Sequence, residues 1–281
     1  MSTGTEPTGT SPTGSASPAK LHIDHLGKTF HRKGSEVQAL QGIDLEIEAG
    51  QFVSFVGASG CGKSTLLRLV DGLIQPTSGT VRLDGKEVHG AGTDRAFVFQ
   101  QDRLLPWRTI ERNVVLGLEF QGTPRAERLA KARELLQLVG IPKFATAYPH
   151  ELSGGMRQRA NIARALAVDP DVLLMDEPFA ALDGQTREIM QSELVRIWQQ
   201  NQKTVLFVTH QIDEAVLLSD RIIVLTARPG RVKADIHIDL PRPRDLASKR
   251  SAAFIAYLDR IWGLIEEEVR ESMELELSNA D

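Results

Sequence analysis

A single cysteine, Cys61, occurs in the 281 residues. An internal disulfide framework is therefore excluded, and the chain fits a reducing compartment. Basic charge is not in excess either: 33 Lys and Arg face 37 Asp and Glu, a formal net charge of −4. Nucleic acid thus gains no electrostatic support as a partner. No apolar run approaches the roughly 18–20 residues that cross a bilayer, so at a membrane another chain would have to supply the spanning segments. The beginning of the chain has neither a basic n-region nor an apolar h-region, and a cytoplasmic location is the expectation. No internal repeat is visible.

What is present suits a large soluble fold. Hydrophobic residues make up 41% and charged residues 25%, enough to build a core without disulfides or metals. Residues 1–18 are built mostly from Ser, Thr, Gly and Pro, with Glu6 the only charged side chain. Such a segment buries too little apolar area to offset its ordering entropy, and a disordered tail is expected, a docking arm being the alternative. From Leu21 the texture changes. Leu21-His22-Ile23 and Asp44 to Glu48 alternate as half-buried strands do, and Phe52 to Val56 is a buried run leading straight into glycines. Val81 to Leu83, Ala96 to Phe99, Val172 to Met175, Val205 to Val208 and Arg221 to Leu225 continue the strand pattern.

A helix is expected from Lys63 to about Val70. Between residues 109 and 168 helical spacing dominates, with leucines at 129, 135, 136 and 138, which reads as an inserted helical subdomain. Alternation of strands and helices implies an α/β fold with a mostly parallel sheet. Past Pro241 a terminal helix should place Phe254, Tyr257, Ile261, Trp262 and Ile265 on one apolar face, for core packing or a subunit contact.

Gly57-Ala58-Ser59-Gly60-Cys61-Gly62-Lys63-Ser64-Thr65 sits between the buried strand and the first helix, the spacing of a phosphate-binding loop. Its glycines allow amide N–H groups to turn towards phosphates, and the helix start adds partial positive charge. Lys63 can reach the β- and γ-phosphates and the Ser64 hydroxyl can ligate Mg²⁺. Cys61 reads as a small filler rather than a nucleophile. Val172 to Met175 runs into Asp176-Glu177, which puts two carboxylates at the carboxyl edge of the sheet. Asp176 suits Mg²⁺ and Glu177 a general base for water. A solvated helix cap is the plain alternative for an Asp-Glu pair taken alone.

These motifs fit many nucleotide hydrolases. Leu152-Ser153-Gly154-Gly155-Met156-Arg157-Gln158-Arg159, shortly before the carboxylate pair, is the discriminating stretch, and with it the chain resembles the ABC ATPase family. That resemblance covers about residues 21–225. It implies a P-loop NTPase (RecA-like) core with an N-terminal antiparallel β subdomain and an inserted α-helical signature subdomain. An ATPase domain over 19–240 and a helical extension over 241–281 follow. It also implies ATP and Mg²⁺ as ligands and a head-to-tail homodimer in the ATP-bound state. ATP is then held between one copy's phosphate loop and the other's Ser153, Gly154 and Gly155.

By the same resemblance Gln100 senses Mg²⁺ and the attacking water, Asp183 crosses the dimer interface, and His210 contacts the γ-phosphate. Phe30 stacks on adenine, unless it is a core phenylalanine. Leu104-Leu105-Pro106-Trp107-Arg108-Thr109, Ala227 to Arg231 and Ile261-Trp262 are similar to the importer ATPases for nitrate, sulfonate and taurine. Such a subunit lies at the cytoplasmic face of the membrane on a separate permease, which is served by a solute-binding protein. Leu104 to Trp107 is then either the apolar surface that docks the permease or subdomain core. Another ABC transporter class, or a non-transport ABC ATPase, is the alternative function.

Overall fold

The computed structural model of the chain describes residues 19–32 and 34–278. The expected tail, 1–18, lies outside them. In chain order the strands are β1 (Ala19–Arg32), β2 (Ser35–Glu48), β3 (Phe52–Gly57), β4 (Ser78–Leu83), β5 (Lys86–Glu87), β6 (Arg95–Val98), β7 (Val172–Asp176), β8 (Thr204–Val208), β9 (Arg221–Leu225) and β10 (Val232–His237). The helices are α1 (Lys63–Asp71), α2 (Ile110–Val114), α3 (Leu116–Phe120), α4 (Arg125–Leu138), α5 (Gly154–Ala167), α6 (Gly184–Asn201), α7 (Ile212–Leu218) and α8 (Ala252–Ser278).

Two sheets form. The antiparallel one has the order β2-β1-β4-β5. Its long β1–β2 hairpin pairs Ile23 with Leu45 and Phe30 with Val37. Along β2 burial alternates from Ile43 to Glu48, because one face covers α1 and the other meets solvent. Strands β4 and β5 come after α1 in the chain, so this N-terminal sheet is completed by residues beyond the phosphate-loop motif.

The larger sheet has the order β10-β9-β3-β8-β7-β6. Strands β9, β3, β8, β7 and β6 are mutually parallel, and β10 adds an antiparallel edge. Every residue of β3, β7 and β8 is buried, as near-continuous apolar strands must be when both faces are covered. Successive side chains point to opposite faces. Val53 and Phe55 join the α1 and antiparallel-sheet side, whereas Phe52 and Val56 join a core shared with α2, α4 and α5. The carboxyl ends of the parallel strands fall on one edge, with β8 between β3 and β7.

Three details depart from the expectations. Leu104 is only 7% exposed and belongs to the helical-side core, so it is no docking surface; Pro106 and Trp107 remain outside, Trp107 at 71%. On α8, Phe254 and Ile261 are fully buried in the same core as Phe52 and Phe207. Trp262, one step of about 100° further round the helix, is exposed at 61% and leaves that face. Strands β6 and β8 end at Val98 and Val208, short of Phe99 and Thr209, so Gln100 and His210 both stand two residues past a strand.

Asp71 closes α1 beneath the sheet, buried to 6% exposure, and burial pushes its carboxyl up to about 6 despite the nearby Arg95 guanidinium. The unfolded chain releases this proton near pH 4, earlier than the fold does. Stability from this group is therefore full at low pH and falls as pH rises through 4 to 6, by about 3 kcal/mol. Asp71→Asn should flatten that slope and be the more stable protein at pH 7.5, with the two similar near pH 4. Urea unfolding at both pH values checks this; a difference that does not change with pH would rule it out.

Candidate functional site

The loop after β3 owes its shape to glycines at two crowded points. Gly57 has φ +151°, and a Cβ there would lie 2.7 Å from the Leu225 carbonyl oxygen; Gly62, at φ +105°, would meet Leu40 Cδ2 at 2.7 Å. Only glycine satisfies both the angle and the space. Within this loop Cys61 is buried, and its amide donates to the Ala58 carbonyl at 3.3 Å. The Lys63 ammonium, 4% exposed, donates to the Gly57 and Ala58 carbonyls at 2.8 and 2.9 Å. Its charge is thus held at the centre of the loop. The next residue, Ser64, donates its hydroxyl to Asp176 Oδ1 at 2.8 Å, joining α1 to the end of β7 across the intervening β8.

Glu177 follows β7 with φ +48°, a left-handed conformation uncommon for a residue with a side chain. Its amide donates to the Val208 carbonyl at 2.9 Å, and its Oε1 lies 2.6 Å from His210 Nε2. The turn carrying His210 is braced from behind. Thr209 donates to Glu214 Oε2 at 2.6 Å, and Gln191 to Glu214 Oε1 at 3.0 Å. Burial pushes the Glu214 carboxyl above its ordinary range.

Phe30, Ser59, Gly60, Gly62, Lys63, Ser64, Thr65, Glu177 and His210 line one cavity of about 270 Å³, with Val37, Ala39 and Arg228. Gly57, Ala58 and Cys61 form the base of its loop, and Asp176 reaches it through Ser64. Phe30 is 39% exposed with its ring in the cavity wall, and Lys28 Nζ sits 5.2 Å from the ring centroid.

The remaining expected residues lie elsewhere. Gln100 and Gly154 line a second cavity of about 550 Å³ with Asp102, Arg157 and Leu182. Ser153 caps α5, its hydroxyl accepting from the Met156 amide at 3.3 Å. Gly155 is buried against Thr186, which a Cβ would approach to 2.5 Å. Asp183, exposed, caps α6, and the Thr186 amide bonded to it holds its carboxyl below the usual range. Ser153 and Gly154 are thus exposed at the start of α5, Gly155 is buried beside α6, and Gly154 lines a different cavity from Lys63.

Arg228 was not among the residues expected in the cavity. It belongs to the Ala227 to Arg231 stretch, yet it meets Gly60 from 168 residues away, and no local spacing announces that contact.

A family model described as ABC transporter matches residues 40–180. The chain is 49% identical over 251 residues to a nitrate import ATP-binding protein of Synechocystis, covering 87% of this chain and 94% of that one. It is 52% identical over 223 residues to a taurine import ATP-binding protein of Rhizobium johnstonii, covering 79% and 85%. Among solved structures, a dimeric ATP-binding cassette with ADP and Pi is similar at TM-score 0.69 and 35% identity, covering 79% of this chain and all of that one. With this match, these relatives and the glycine-rich loop and Asp176–Glu177 pair on one α/β scaffold, the chain belongs to the ABC transporter family, among its ATP-binding proteins.

Proposed function

We propose that this chain is the ATP-hydrolysing subunit of an importer for a small anion such as taurine, an aliphatic sulfonate or nitrate. The cavity uniting Lys63, the Ser64–Asp176 pair and the Glu177–His210 pair carries this reading. The Lys63 ammonium and the loop amides bind the β- and γ-phosphates, and Phe30 takes the adenine. Ser64 and Asp176 present two hard oxygen donors 2.8 Å apart, a donor set that fits Mg²⁺. An Mg²⁺ ion held by these two oxygens would neutralise charge on the phosphate oxygens. Glu177 accepts the proton of the attacking water, while His210 orients Glu177 and reaches the γ-phosphate. Gln100 joins from the neighbouring cavity on closure.

The signature segment lies outside this cavity, so each nucleotide needs a second copy of the chain, whose Ser153, Gly154 and Gly155 cover it and whose Asp183 crosses the interface. Both nucleotides then stabilise one closed arrangement, and hydrolysis releases it. Differential affinity for the closed and open states is what performs work on the permease. Among the described residues no helix is long and apolar enough to cross a membrane, so the solute path belongs to separate permease subunits fed by a solute-binding protein. Pro106 and Trp107 offer the permease contact. Trp107 edges a cavity of about 380 Å³ lined by Arg108, Glu111, Arg112 and Arg128, an amphipathic surface of the kind interfaces use.

Uptake of labelled taurine, alkanesulfonates and nitrate in cells carrying wild-type or Lys63→Ala protein tests the assignment. Uptake of one solute should fall to the level of cells lacking the gene. If none in the panel depends on Lys63, the small-anion assignment is wrong.

A further inference from the structure

We propose that Arg228, on the loop between β9 and β10, is a nucleotide-binding residue that supplies the polyphosphate with a second cation beside Lys63. This rests on the reading of the cavity as an ATP site. The observation is where the guanidinium lies and what it lacks. Arg228 lines the cavity, and its Nε and Nη2 reach the Gly60 carbonyl, at the phosphate loop, at 3.4 and 3.3 Å. Both bonds are long for a charged donor. Among the described residues it has no carboxylate partner. Neighbouring arginines are engaged: Arg221 binds Asp235, Arg242 binds Asp220, and Arg231 donates to Gln41.

The loop presents Arg228 from a fixed base. The Thr226 amide donates to the Arg231 carbonyl and the Thr226 hydroxyl to that of Pro229, both at 2.9 Å. The Gly230 amide donates to Ala39 at 2.9 Å and the Gly230 carbonyl accepts from Gln41 at 3.0 Å, tying the loop to β2. A Cβ on Gly230 would lie 2.1 Å from the Cys61 carbonyl oxygen, so this loop packs directly on the phosphate loop. Its far side is held by α8, where buried Glu268 accepts from the Ala227 amide at 2.7 Å and pairs with Lys233 at 2.7 Å. A guanidinium mounted this way, weakly bound and without a counter-ion, exchanges its carbonyl for a phosphate oxygen when a polyanion enters. Arginine suits that role because its planar fork meets phosphate oxygens directly.

Binding of ATP, GTP and ADP to the full-length protein, with steady-state hydrolysis, tests this for Arg228→Ala, Arg228→Lys, Arg231→Ala and Lys63→Ala. One lost charge-assisted hydrogen bond should weaken binding by about 10- to 100-fold in Arg228→Ala. ATP and GTP should suffer alike, KM should rise more than kcat falls, and the loss should shrink at high salt. Arg228→Lys should recover part of the affinity, and Arg231→Ala should bind as wild type does. The proposal is overturned if Arg228→Ala binds ATP within about twofold of wild type, or if Arg231→Ala loses as much, which would make the effect one of loop structure. A loss confined to adenine nucleotides also overturns it, since the contact would then be with the base. If wild type binds no ATP while retaining its fold, the cavity reading itself fails, an outcome distinct from any failure at Arg228.

Discussion

Glu177→Gln should bind ATP as tightly as wild type and lose two to four orders of magnitude in hydrolysis, about the contribution of a positioned general base. The substitution changes little but basicity. Glutamine matches the volume of glutamate and keeps an oxygen that can face His210 Nε2, now 2.6 Å from Glu177 Oε1. The backbone at this point, φ +48° with the amide bonded to Val208, depends on the β7–β8 edge and stays as it is. Only the capacity to accept a proton from water goes. In the proposed mechanism hydrolysis reopens the nucleotide-closed pair, so ATP should hold the variant as a long-lived dimer. Single-turnover hydrolysis and size-exclusion chromatography with ATP read the two effects. Residual turnover above roughly a tenth of wild type would remove Glu177 from the base position.

The second large effect concerns stability. Arg244→Ala should destabilise the fold by about 3–5 kcal/mol, the range for disrupting a buried, hydrogen-bonded charge. Arg244 is 4% exposed. Its guanidinium donates to Val216 at 3.1 Å, to Ile238 at 2.9 Å, to Leu240 at 3.0 and 3.2 Å, and to the Ser219 carbonyl. Burial, with the Arg242 charge beside it, lowers its pKa to about 10, which still leaves it charged at neutral pH. Val216 and Ser219 lie at the C-terminal end of α7, whose last carbonyls have no partner within the helix; a cation is also favoured there by the helix dipole. One side chain thus joins α7, the end of β10 and the run into α8. Alanine would take this donor from the buried Val216, Ser219 and Ile238 carbonyls, and lysine could not span them. Against a total stability of roughly 5–15 kcal/mol, the loss should be obvious in urea unfolding. A change under about 1 kcal/mol would mean that water fills the gap and the cage contributes little.

Much of the site was legible because its shape is local. Gly57 and Gly62 are needed where the chain turns left-handed against neighbouring atoms, and Lys63 and Ser64 follow at the helix start whatever packs above. The apolar runs Phe52 to Val56 and Val172 to Met175 announce strands buried on both faces, so their carboxyl ends, and hence Asp176 and Glu177, could be placed on one edge. The helical region was equally readable, with α4 set by its leucine spacing. Leu104, Trp262 and Arg228 were not legible in this way. Leucine and tryptophan carry no mark of which side of a short loop or long helix will face a core. That depends on the position of α5 and of Phe52, contributed from far along the chain.

The sequence by itself thus determined the elements, the phosphate loop, the carboxylate pair and the family resemblance, since each rests on backbone angles or spacing within a few residues. Tertiary structure decided that β4 and β5 complete the first sheet, that β8 separates Gly57 from Asp176, and that Gly154 lines a different cavity from Lys63. It also decided that Glu268 and Gly230 seat Arg228 against Gly60. These contacts join residues tens to nearly two hundred positions apart, and which pairs meet is settled by how the two sheets and α8 bury their apolar faces together.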